Sequence, residues 1–155
     1  MRVSYNQVIK QLQDFTTAHK QLKSFGNGNL WEVVQHNQLQ NFDYPLLWVN
    51  DQPASLGTGD FTWNFQVLVM DIVRKDETNE NEVKSDCVQI LIDIVAYFEQ
   101  LNATSNNVKW NKVQLVKSSS VEMFTERFED ELSGATLSLG LRFPQNYNYC
   151  EVPIS

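Results

Sequence analysis

The stretch FTWNFQVLVMDIV (Phe61–Val73) decides how this chain folds. Phe61, Trp63, Phe65, Val67, Val69 and Val73 recur at every second position and share one face of a strand, with Asp71 as the exception. The other face begins polar with Thr62, Asn64 and Gln66, then turns apolar with Leu68, Met70 and Ile72. Its second half is therefore expected to be covered on both sides. At about 3.3 Å per residue the strand spans roughly 40 Å, long for a small domain and long enough for part of it to project as an arm.

Working outward, RKDETNENEVKSDC (Arg74–Cys87) follows the strand as a strongly hydrophilic passage. Beyond it, Val83, Cys87, Ile90, Leu91, Ile94, Phe98 and Leu101 fall on one face of a helix over 83–101. Asn102–Asn107 ends that helix. The tripeptide Asp-Ile-Val thus occurs twice in different settings, closing the strand at Asp71–Val73 and lying mid-helix at Asp93–Val95.

Towards the N-terminus, Val8, Leu12, Phe15, His19 and Leu22 form an apolar stripe and predict a helix over 3–22, which Ser24–Asn29 terminates. Short strands are expected near 30–34 and 44–49, joined as a hairpin, with Pro45 marking a strand beginning or an edge. Towards the C-terminus, strands are expected near 113–121 and 136–143, the latter with Leu137, Leu139, Leu141 and Phe143 facing one way. Between them, Phe124, Phe128 and Leu132 fit a helix by spacing, whereas Ser133-Gly134 before an alternating strand fits a hairpin; the hairpin is the preferred reading. Residues 144–155 form a tail. The sum is an α+β class fold: a single domain over 1–155, a largely antiparallel sheet and two main helices packed on it.

Composition narrows the function. The chain has 155 residues and a net charge of −7. Residues 1–75 hold six basic and six acidic side chains, and residues 76–155 hold six basic and thirteen acidic. Specific nucleic-acid binding relies on basic patches, which this distribution does not supply. No apolar run approaches the roughly 20 residues of a membrane-spanning helix. The N-terminus reads as an amphipathic helix, not a signal peptide, which points to synthesis in a cytoplasm. Cys87 and Cys150 have no metal-site spacing and are expected to be reduced.

A search for chemistry finds little. His19 lies on an apolar helix face and His36 in a loop, outside any zinc or nucleophile motif. The Gly-Asn-Gly and Gly-Thr-Gly turns lack the Lys-Ser/Thr of a phosphate loop. DETNENEVKSD would need Gly at Asn81 and a carboxylate at Cys87 to hold calcium as an EF-hand does. No catalytic, cofactor-binding or metal-ligating residue is assigned. The candidates are instead charged: Arg74, Lys75, Asp76, Glu77, Glu80 and Glu82 at the strand exit, and Arg127, Glu129, Asp130 and Glu131 further on. Mixed charge of this kind suits contact with an identical neighbour; a solvated surface is the plain alternative.

The strings SFGNGNLWEVV, YPLLWV, FQVLVMDIVRKDETNENEVKSDCVQILIDIV and FTERFEDELSGATLSLGLRF, in that order, resemble a recurrent virion protein of tailed bacteriophages. The likeness spans about residues 24–143 and is most specific in its central block. It is to the tail-terminator or tail-completion family of neck-ring, head–tail connector proteins, especially versions from crAss-like and other Bacteroidetes phages. The resemblance implies a structural subunit that assembles with itself into a ring of six or twelve copies. Such a ring joins portal or connector to tail and leaves a channel for viral DNA, which passes without sequence-specific binding. It implies a virion location, assembly in the bacterial cytoplasm, no membrane contact, no cofactor and no enzymatic activity. The competing expectations are a non-virion morphogenesis factor, such as a tail assembly chaperone or adaptor, and a small carboxylate-based enzyme or ligand-binding domain.

Overall fold

The computed structural model describes residues 3–29, 42–73, 78–104, 113–115, 120–126, 132–145, 147, 150 and 152–154. Helix α1 (Tyr5–Ala18) begins at a capping box: the Gln7 N–H donates to the Ser4 side chain while the Gln7 side chain accepts from the Ser4 N–H. It stops at Ala18, short of the expected residue 22, because His19 is already extended. The chain then enters strand β1 (Ser24–Asn27), a segment whose glycine and asparagines had suggested only a helix stop. No alternation marks these four residues; the register against a neighbour makes them a strand.

That neighbour is β2 (Leu46–Asp51), which starts just after the cis Tyr44–Pro45 bond and runs parallel to β1. The expected strand at 30–34 lies outside the described residues. β2 continues antiparallel to β4 (Asp60–Ile72), with the two-residue β3 (Ser55–Leu56) on the same side of β4. The other side of β4 carries β7 (Leu132–Pro144). These two strands are paired along their whole lengths, from Asp60 opposite Pro144 to Ile72 opposite Leu132, so the long strand spends its length inside the sheet.

The far edge of β7 is shared by β5 (Gln114–Leu115) and β6 (Val121–Glu126). The segment expected as one strand near 113–121 is thus two short strands whose described parts flank 116–119. β6 runs back antiparallel to β7 with Glu126 opposite Leu132, as the hairpin reading required. The fold is α+β: one sheet of seven described, mostly antiparallel strands, with two helices packed on it.

Both helices lie on the sheet face formed by the period-two residues of β4. Helix α2 (Glu80–Thr104) buries Val83, Cys87, Ile90, Leu91, Ile94 and Phe98 against that face, and α1 adds Val8, Leu12 and Phe15. The sheet contributes Phe65, Val67 and Val69 together with Leu137, Leu139 and Leu141, all essentially inaccessible to solvent. Burial of side chains this size stabilises by about 1.5–3 kcal/mol each. The opposite face holds a second cluster of Leu46, Trp48, Leu68, Met70 and Leu132, with Phe42, Tyr44 and Phe124 against it. The two-sided cover expected for the end of β4 is present at Leu68 and Met70 and ends before Ile72, which is 47% exposed.

Candidate assembly surface

Of the charged candidates, Glu80 and Glu82 stand in the first turn of α2, where a negative charge opposes the positive end of the helix dipole. Arg74, Lys75, Asp76, Glu77, Arg127, Glu129, Asp130 and Glu131 lie outside the described residues. Their described flanks, however, meet. Ile72 before the first segment pairs with Leu132 after the second, and Leu132 pairs with Glu126 before it.

A side-chain relay joins the elements at this end. The buried Ser133 hydroxyl donates to Thr125 Oγ1 at 3.1 Å, and the Thr125 hydroxyl donates to Glu80 Oε1 at 2.6 Å. Lys84 Nζ reaches the same carboxylate at 2.8 Å from one turn further along the helix. The short donor distance from Thr125 is that of a charge-assisted bond. The start of α2 and the β6·β7 pair, remote from it in sequence, are therefore tied together around one carboxylate.

Beneath the relay lies Asp71, half-buried on the helix side of β4. Burial pushes its carboxyl above the ordinary range, and the Asp86 charge adds to this; the Ile72 N–H at 2.8 Å and the Lys23 ammonium act in the opposite direction. Neighbouring Cys87 is almost fully enclosed, and burial with the Asp71 and Asp86 charges pushes its thiol up to about 12. A thiol held protonated at neutral pH is a packing group, not a nucleophile.

At the other end of the sheet, Val3, Leu56, Phe61, Trp63, Gln145 and Tyr147 line an open cleft of about 300 Å³. Its walls are fixed by hydrogen bonds from Trp63 Nε1 to the Val3 carbonyl at 2.9 Å and from the Tyr147 hydroxyl to the Asp60 carbonyl at 2.6 Å. Among the described residues that line it, Tyr147 is the one titratable side chain, and the rest suit an apolar group. His19 caps α1 and meets Asp93 of α2 at 2.9 Å, while its Nδ1 accepts the Gln21 N–H; it staples the two helices. Among the described residues, no three His, Cys, Asp or Glu side chains are placed to hold a metal ion, and no helix is long and apolar enough to cross a membrane.

The features that sequence reasoning missed are the sheet edges. Among the described residues, β1 pairs only with β2, and β6 only with β7. On β6, Val121 and Met123 are exposed at 41% and 65%. Lys20 and Lys23 are exposed beside β1.

No protein-family model matches the chain, and no curated protein matches it significantly. Chains of solved structures do match. One aligns over 91% of this chain and 92% of its own length, at 13% identity and a TM-score of 0.40. A likeness of that size carries no functional argument.

Proposed function

We propose that this chain is a structural subunit of a closed homo-oligomeric ring in the neck or tail of a tailed phage. The ring joins portal or connector to tail and leaves a passage for DNA. The sequence resemblance to tail-terminator and tail-completion proteins supplies the class. The observation that supports it best is the meeting, at one end of the sheet, of the described flanks of both charged segments around the Ser133–Thr125–Glu80–Lys84 relay. Charged segments that leave one end of the sheet beside such a relay suit either contact between subunits or a lining that repels phosphate and lets DNA slide.

Electron microscopy and native mass spectrometry of the purified protein test this reading. The expected result is a ring of one copy number, and for Glu80→Lys/Glu82→Lys a shift towards smaller species. A wild-type protein that stays monomeric at micromolar concentration would overturn it. Detection in mature particles by proteomics is the companion expectation, since an assembly chaperone would be absent from them.

A further inference from the structure

The pairing registers align into complete rows that cross the sheet from one edge to the other. Ser24, Leu46, Met70, Gly134 and Phe124 form one row; Phe25, Leu47, Val69, Ala135 and Met123 form the next. Gly26 shares a row with Glu122, and Asn27 shares one with Val121, through the same three intervening strands. All four residues of β1 therefore stand at the height of the first four of β6. Following the strand directions, β1 runs antiparallel to β4 and β6 runs parallel to it, so the two edges are antiparallel to each other.

We propose that β1 of one copy pairs antiparallel, row for row, with β6 of the next, so that the sheet continues from subunit to subunit. Each of these edges, which carries no further strand among the described residues, is thus taken by a second copy of this chain. Because residues in one row point to the same face, the pairing sets Phe25 against the exposed Met123 and Asn27 against Val121. One row further on, Lys23 of one copy meets Thr125 of the other, whose hydroxyl is bonded to the Glu80 carboxylate. Charge is complementary there: Lys23 directly precedes β1, while the Glu80 carboxylate, which Lys84 also meets, stands against Thr125 of β6. The two surfaces differ, so the contact is head-to-tail and propagates until it closes into a ring or runs on as a filament. Paired edges also remove the aggregation hazard of open strands.

The inference rests on the ring reading and is separable from it. In a Cys150→Ser background, Asn27→Cys/Val121→Cys places two thiols across the junction at the 4.5–5.5 Å Cα spacing of antiparallel partners, within disulfide reach. Oxidation should give a covalent ladder ending at the ring's copy number, and neither single variant should give one. A ring that persists in native mass spectrometry without a ladder overturns the edge pairing and leaves the ring standing; a monomeric wild type overturns both. Independently, Lys23→Glu should raise the dissociation midpoint about tenfold, and adding Glu80→Lys should restore it. Unchanged dissociation in Lys23→Glu would also overturn the pairing.

Discussion

Asp71 is the residue at which the regular pattern of β4 breaks, and the break has a thermodynamic sign. Its carboxyl titrates above the ordinary value of 3.8 because burial disfavours the charged form. Between that value and the raised one, the folded chain holds a proton that the unfolded chain has lost, so stability falls as pH rises through this window. Asp71→Asn should therefore raise the melting temperature at neutral pH, with a gain that fades as pH falls through the raised value towards 3.8. Cys87 has the same sign at the alkaline end: the unfolded thiol ionises near 9, the folded one near 12, and stability should fall above about pH 9. A thiol reagent at neutral pH should modify one cysteine per folded chain, the exposed Cys150, and both in denaturant. Gly134 is constrained differently. A Cβ there would run into the Val69 carbonyl of the paired strand, so Gly134→Ala should cost more than about 2 kcal/mol in urea unfolding. The sequence marked Asp71 as an anomaly by position alone. Gly134 read as a turn residue, because the close approach of β4 is visible only once the two strands are paired.

Among the elements, the strongly periodic ones were legible and the short ones were not. β4, β7 and α2 carry period-two or helical repeats over many residues, and burial follows those repeats from Phe65 to Val69, Leu137 to Phe143 and Val83 to Phe98. β1 has no repeat to read: Ser-Phe-Gly-Asn becomes a strand through its register with Leu46–Val49. The far end of the Phe124–Leu132 ambiguity was settled by Ser133, whose hydroxyl faces Thr125 across the β6·β7 pair. The charged candidates were legible as composition, but the relay needs Glu80, Thr125 and Ser133 to come together from 45 and 53 positions apart in the chain, which no local pattern encodes. At the start of α1, the capping box is a purely local signal. Ser4→Ala should lower stability by about 1 kcal/mol in thermal denaturation. Tyr5, in the following turn, ties the helix to the sheet through its hydroxyl bond to Asp51, so fraying there should loosen the α1–β2 contact as well.

On the scale of the whole molecule, charge and assembly meet. Residues 76–155 carry the full net charge of −7, and the ring proposed above would concentrate that charge around one axis. Duplex DNA should therefore show no retention by the assembled protein in fluorescence anisotropy at physiological salt; saturable binding there would argue against a passive channel. The thirteen-residue β4·β7 ladder has a mechanical consequence. A pull along the strand axis, applied to Ile72 at one end of β4 and to Pro144 at the opposite end of β7, strains every rung of that ladder together. A pull across the sheet on β1 strains its four pairs one after another, as a zipper opens. The molecule is thus stiff along its strands and weak across its edge, and a neighbouring strand laid on β1 would brace it where it yields first.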